Sequence, residues 1–285
     1  GLDAGNSVTT GTNNTFLGGK AGTANTTGQF NVYVGTDAGE ALTVGNFNVA
    51  IGRGALEQDT KGSKTVAIGQ GTLNAQNFTS ATDSLNTAVG FGAGVAVTTG
   101  TLNTFVGGQT GDGMTTATGN TAIGAVALSA ACSNDNTAVG NYAIAQTTGE
   151  ANTAIGQVAG FDITSGGNNI AIGKDALRSG SPGGTQTTGS NKIGLGDDNI
   201  SSFNCQVALT VASDERDKTD FVDLDLGLDF VKALEPVTYY WDKRSKYGDK
   251  NSDDFDLDNL TPDGTHKEDW MDVGFKAQAV QAIED

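Results

Sequence analysis

Asn103-Thr104-Phe105-Val106-Gly107, Asn120-Thr121-Ala122-Ile123-Gly124, Asn136-Thr137-Ala138-Val139-Gly140 and Asn152-Thr153-Ala154-Ile155-Gly156 are four consecutive copies of one five-residue phrase. The phrase extends outward in both directions. Upstream it reads Asn14-Thr15-Phe16-Leu17-Gly18, Asn31-Val32-Tyr33-Val34-Gly35, Asn48-Val49-Ala50-Ile51-Gly52, Thr65-Val66-Ala67-Ile68-Gly69 and Asn86-Thr87-Ala88-Val89-Gly90, and downstream Asn169-Ile170-Ala171-Ile172-Gly173. The closing glycines stand 17, 17, 17, 21, 17, 17, 16, 16 and 17 residues apart, and a degenerate Asn191-Lys192-Ile193-Gly194 follows 21 residues after the last. A near-constant period of this length is the mark of a solenoid, in which each repeat buries its apolar groups only against its neighbours.

The chemistry of the phrase supports a short strand at each level. The residue before the glycine is always Leu, Val or Ile, and three residues beyond the glycine stands Ala in eight copies and Thr in two. Side chains alternate along a strand, so the branched residue faces one way and the preceding Ala, Phe or Tyr the other. Both faces are then apolar, which predicts packing neighbours on both. The glycine suits a tight corner or a positive φ, and the leading Asn can stack on the Asn of the next coil as a hydrogen-bonded ladder. Polar spacers such as Thr98-Thr99-Gly100 and Thr147-Thr148-Gly149 fall on one edge of the stack, and the two long intervals, around Asn77-Phe78-Thr79-Ser80 and Ser181-Pro182-Gly183-Gly184, are expected as surface loops.

Composition breaks sharply at Ser213-Asp214-Glu215-Arg216-Asp217-Lys218. Residues 1–212 hold 38 glycines and 20 charged side chains, residues 213–285 hold 4 and 29. This predicts a glycine-rich repeat shaft over 1–200, a connecting strand over 201–212 and a separate domain over 213–285. Net charge is −6 before the break and −11 after it, which disfavours a nucleic-acid partner. No apolar run has the length of a membrane span. The chain opens in mid-pattern at Gly1-Leu2-Asp3-Ala4-Gly5 and is expected to be a fragment; Cys132 and Cys205 are expected as buried free thiols.

Asn-Thr-Ala-Ile-Gly followed by Ala-Gly resembles the head repeat of trimeric autotransporter adhesins and similar repeats of phage tail fibres, over about residues 1–196. The resemblance implies an all-β solenoid or β-roll associating as a parallel homotrimer, one strand face turned to its own core and the other to two identical chains. Because every level resembles every other, copies could pair one coil out of step at little cost, so something must set the register.

Past the break the sequence reads as α+β. Phe203 to Ala212 alternates as a strand, Leu226 to Leu234 suits a short amphipathic helix ended by Glu235-Pro236, Val237 to Trp241 is a strand, 243–269 is a polar acidic excursion, and Val273 to Val280 is a strand turning into a helix. Three ordered blocks, Ser-Asp-x-Arg-x-Lys at 213–218, Gly-Leu-Asp-Phe-Val-Lys-Ala-Leu-Glu-Pro-Val at 227–237 and Gly-Phe-Lys-Ala-Gln-Ala-Val at 274–280, resemble the intramolecular chaperone domain of phage tailspikes and tail fibres, the S74 peptidase family. The domain would be C-terminally incomplete. The resemblance implies a small trimerising α+β domain that aligns the shaft and then releases itself, with Ser213 as nucleophile, Lys218 as base, the cut at or next to Ser213-Asp214, and Asp214 and Arg216 as supporting residues. A serine hydroxyl needs a base, and a lysine serves where burial lowers its pKa. Taken alone, the six residues read more readily as a solvated charged linker.

Other candidates are weaker. Asp254-Phe255-Asp256-Leu257-Asp258 has the odd spacing of a calcium loop but lacks its Gly and Glu, and reads as a solvated acidic loop. His266 reads as an exposed loop residue. The second strand position is Thr in six copies, Val in three and Ile in one, too interrupted for an ice-binding array, and no carboxylate pair marks a glycosidase. The expectation is a structural virion protein in the tail, a distal fibre or spike that meets a host cell-surface glycan or protein, without cofactor or metal and at most a single-turnover self-cleaving endopeptidase; the alternative is a bacterial surface adhesin head.

Overall fold

A computed structural model describes residues 1–181, 184–204, 232–242, 247, 260–276 and 279–280. The chain divides into two compact units, Gly1–Ile200 and Ser201–Asp285.

The first unit is a parallel β-solenoid. Its strands are β1 (Thr15–Leu17), β2 (Val32–Val34), β3 (Val49–Ile51), β4 (Gly62–Ser63), β5 (Val66–Ile68), β6 (Thr82–Asp83), β7 (Thr87–Val89), β8 (Thr104–Val106), β9 (Thr121–Ile123), β10 (Thr137–Val139), β11 (Thr153–Ile155), β12 (Ile170–Ile172) and β13 (Ile193–Leu195). Eleven of them, all but β4 and β6, form one sheet in chain order. Equivalent residues lie in register, as in Phe16↔Tyr33, Ala88↔Phe105 and Ala154↔Ala171.

Two side-chain and backbone features lock coil to coil. The rung asparagines form the expected ladder, in every step through the backbone N–H of the next coil and, from Asn103 to Asn169, amide to amide as well, as Asn120 Nδ2 donates to Asn103 Oδ1 at 3.2 Å. Asn14 Oδ1 accepts from Asn31 N, Asn31 Oδ1 from Asn48 N, and so on to Asn169 Oδ1 from Lys192 N, at 2.9–3.1 Å. In most coils the Nδ2 also donates to a carbonyl three residues before the next rung asparagine, as Asn103 Nδ2 does to Ala117 O at 2.9 Å. The rung glycines stack as closely. Gly107 has φ +138, and a Cβ there would lie 2.7 Å from the backbone of Gly124, so this corner excludes side chains on two grounds.

Left-handed residues recur at fixed points of each coil: the residue before the rung asparagine and those two and four beyond the rung glycine. In the coil of Gly124 these are Gly119, Val126 and Leu128. Such conformations cost non-glycine residues about 1–2 kcal/mol each, and they persist because the stacked coils over-determine them.

The core is a thin column in which sizes are traded within a coil. Where the central strand residue is Phe16, Tyr33 or Phe105, the residue six on is Gly22, Gly39 or Gly111, whose Cβ would strike that ring at 2.5–2.8 Å. Where it is Ala50, Ala67, Ala122, Ala138 or Ala171, the partner is Leu56, Leu73, Leu128, Ile144 or Leu177, all buried. In the two coils where both positions are small, Ala88 with Gly94 and Ala154 with Gly160, side chains of adjacent coils fill the space: a Cβ at Gly94 would strike Leu73 and Phe105, and one at Gly160 would strike Ile144. The alanines three residues past the rung glycine are also fully buried. Cys132 is a buried free thiol against Met114, and burial pushes its pKa up to about 12, so it is unreactive near neutrality. Cys205 lies outside the described residues.

The central strand residue faces a core within the chain, as one of the two apolar faces was expected to; the Leu, Val or Ile before each glycine is half-buried or exposed, Leu17 at 61%. Two other expectations need correction. The last rung is not Asn191 to Gly194: Lys192 takes the asparagine position, Gly194 pairs with Ala171 in the core and Gly196 is the corner, which makes the interval 23 residues. The loop near Asn77 is not simply a surface excursion. Phe78 is buried, and β6 pairs in parallel with β4. This excursion repairs the one break in the asparagine ladder: Thr65 Oγ1 meets Ser84 Oγ at 2.6 Å, and Gln76 bridges Asn86, Thr65 and the buried Asp59. Asp59 also accepts from the amides of Lys61, Gly62 and Phe78. The polar spacers form a second, interrupted ladder in which one threonine hydroxyl donates to the carbonyl one coil on, as in Thr9 to Thr26, Thr26 to Thr43 and Thr43 to Thr60 at 2.9–3.1 Å. Of the strand expected over 201–212, only 201–204 are described, and they form none.

Two substitutions test this account in opposite directions. Asn103→Ala strands a buried amide and carbonyl and should cost about 2–4 kcal/mol, read as a lower unfolding midpoint. Asn25 is fully buried with both amide atoms unpaired, at the core position that Leu42 fills one coil later. Asn25→Leu should therefore stabilise by about 1–3 kcal/mol in the same measurement.

Candidate functional site

Ser213, Asp214, Arg216 and Lys218 lie outside the described residues, as does 254–258. The other two motif blocks are in part described, and the fold brings them together. β14 (Val237–Tyr239) and β15 (Asp272–Gly274) pair antiparallel, Val237 opposite Gly274 and Tyr239 opposite Asp272. The β-branched and aromatic residues of Val237-Thr238-Tyr239 suit the extended backbone. The strand is shorter than the expected run to Trp241. Lys232 and Ala233, the described end of the expected helix, are helical and stop before Leu234, where Pro236 two residues on disfavours continuation. Beyond β15 the chain is helical again at Ala279 and Val280.

Ala233, Leu234 and Glu235 from one block and Phe275, Lys276, Ala279 and Val280 from the other line a cleft of about 300 Å³. The lining is mostly apolar, with one carboxylate and one ammonium. It can receive an apolar side chain; among the described residues it gathers no nucleophile with a base.

Around the ribbon, polar contacts fix the returning loop. Asp242 accepts from Tyr247 Oη at 2.7 Å and from Gly264 N at 2.9 Å, and Tyr247 Oη accepts from His266 N at 3.2 Å. The exposed His266 ring packs edge-on against Tyr247, which gives it a structural contact that its loop context did not announce. Thr265 donates its hydroxyl and amide to Asp263 and holds that carboxyl below the usual carboxylate range. Trp241 Nε1 donates to Asp272 Oδ2 at 2.7 Å, and Lys267 lies over the Tyr240 ring at 4.1 Å. Trp270, Met271, Val273 and Phe275 are all exposed. A two-stranded ribbon is marginal by itself, and this one leaves much aromatic and aliphatic surface exposed. Among the described residues no group of His, Cys, Asp and Glu is placed to hold a metal, and no helix is long and apolar enough to cross a membrane.

Comparison with known proteins gives one match. Residues 213–285 match the family model of the S74 peptidases, described as the chaperone of endosialidase. The match begins at Ser213 and takes in all three motif blocks, including the two that meet across the ribbon. No curated protein and no solved structure matches the chain.

Asp242 is the anchor of the loop at 260–268. Asp242→Ala is expected to raise tryptic cleavage after Lys267 several-fold, since opening there no longer breaks two hydrogen bonds, while fragments from the solenoid stay unchanged on the same gel.

Proposed function

We propose that this chain is the distal part of a phage tail fibre or spike: a solenoid shaft, assembled as a parallel trimer, whose C-terminal domain directs assembly and then cuts itself away. The observation that carries the reading is the S74 chaperone match over 213–285, following in sequence a β-solenoid that leaves one strand face uncovered. In every coil the residue before the rung glycine is a branched aliphatic that its own chain does not bury, and a monomer has no use for such a column. Two further copies of the chain would cover it.

The release step is assigned to the residues at the start of the match. Lys218, uncharged when desolvated, takes the proton of the Ser213 hydroxyl as its oxygen attacks a peptide carbonyl at or next to Ser213-Asp214; the C–N bond breaks as the lysine ammonium returns that proton to the leaving amine, and water then hydrolyses the ester to leave two free chain ends. Asp214 and Arg216 hold the loop by a charge-assisted pair. The shaft, exposed in the finished particle, meets a host cell-surface glycan or protein. No external substrate is turned over.

Expression of the full chain tests both parts. Wild type should yield a trimeric shaft ending near Ser213, and Ser213→Ala or Lys218→Ala an uncleaved trimer of full-length chains, read by intact mass and native mass spectrometry. Cleavage that persists in Ser213→Ala removes the nucleophile assignment. Deleting 213–285 before folding should give aggregated shaft; efficient trimer formation by that deletion would refute the chaperone role.

A further inference from the structure

The uncovered strand face has two columns: the Thr, Val or Ile that opens each strand and the Leu, Val or Ile that closes it. No member of either column is charged in any of the eleven coils of the main sheet. At ~4.8 Å per coil the stripe is about 50 Å long, and with two columns about 10 Å wide it presents roughly 500 Å² of uncharged surface, the size of the largest patch a monomer leaves open and a large part of one partner's share of a stable interface. Its length matches the sheet, so the occupant of matching length and pattern is another copy of the same sheet.

This stripe cannot by itself keep copies level. Every closing position is Leu, Val or Ile, so a slip of one coil changes a contact by no more than a methylene. The information lies in the column beside it, the left-handed residue before each rung asparagine. Over five successive coils this column reads Phe30, Phe47, Lys64, Leu85, Leu102, all exposed, with the two phenylalanine rings stacked at 5.1 Å. The single charge in that run stands in the coil where the period lengthens and Thr65 replaces asparagine. There β6 brings Asp83 to Lys64 Nζ at 2.5 Å, and β4 with β6 adds a two-stranded ledge at this level only.

We propose that Lys64, Asp83 and the β4–β6 ledge are a register mark within the shaft, holding adjacent copies of this chain at the same level. The mark rests on the side-by-side packing proposed above. With copies level, three equivalent ion pairs stand at one height and keep their water. One coil out of step, the pair of one copy is set against Phe47 or Leu85 of the next, which strips solvent from both charges and supplies no partner. The ledge would also meet a coil that has none. Register is then specified twice, at the C-terminal end and about one-third of the way along the shaft, and the second specification survives loss of the C-terminal domain.

The test uses the full-length chain co-expressed with a full-length variant in which the lysine of the mark is moved by one coil, Phe47→Lys with Lys64→Phe, the two carrying tags of different mass. Native mass spectrometry should show mixed trimers depleted several-fold relative to random mixing. Random mixing in intact trimers overturns the mark while leaving the trimer standing; a monomer overturns both. A second measurement needs no variant. In wild-type protein assembled from isotopically light and heavy chains, amine cross-linking should join Lys64 of one copy to Lys64 of another, and a trimer that yields no such interchain link overturns the mark.

Discussion

The buried amide of the rung asparagine is the interaction on which the solenoid depends. Its Oδ1 takes the backbone N–H of the next coil's asparagine position and its Nδ2 gives to a carbonyl just upstream, so one side chain satisfies two backbone groups that no strand pairing reaches. Buried backbone groups are costly to leave unpaired. The requirement propagates: each coil can close only where the next presents the same two groups at the same height. That is why the corner glycines stack within a Cβ of one another and why a large central residue is matched by a glycine six on, with neighbouring coils filling the two coils where both are small.

The exception at Thr65 shows how firm the requirement is. Thr65 still donates its backbone N–H to Asn48 Oδ1 of the coil before but has no side-chain amide to pass the ladder on, and the chain compensates with four extra residues, Ser84, Gln76 and a buried carboxylate, Asp59. Asp59 has no cation among its hydrogen-bond partners. Three backbone N–H groups and the Gln76 amide disperse its charge, the arrangement a buried carboxylate needs when no base is at hand.

How far the sequence revealed this follows from where the information is stored. The strands, the corner glycine, the small residue after it and the asparagine ladder each recur at fixed spacing, so periodicity exposed them. The last rung misled because Asn191 and Gly194 imitate the phrase while standing one and two places out of register; only the pairing of Ile193 with Ile170 reveals Lys192 as the rung residue. The burial of Phe78 and the β4–β6 pairing occur once, so no repeat could announce them. The volume exchange between Phe105 and Gly111 was present in the residues, but it becomes a signal only once the two positions are known to touch. For the C-terminal unit the sequence indicated two separate strands, over Val237 to Trp241 and from Val273, since that signal is local, whereas their pairing depends on 32 intervening residues that carry no period. The roles of Ser213 and Lys218 depend on a distance between side chains, which no spacing along the chain encodes.

The same repetition governs how such a shaft must form. Coils contact only their sequence neighbours, about seventeen residues away, so extending the stack by one coil closes a short loop and gains a full set of ladder bonds at once. Starting it is different. The first coil orders all its residues against no neighbour, including several in left-handed conformations, and recovers almost nothing until a second coil lies on it. A solenoid of this kind is therefore limited by nucleation and stable once extended. An element that folds on its own terms at one end of the stack removes that first cost, and the sequence places its change of composition, from glycine-rich repeat to a charged domain with few glycines, at one end of the stack, where such an element would act.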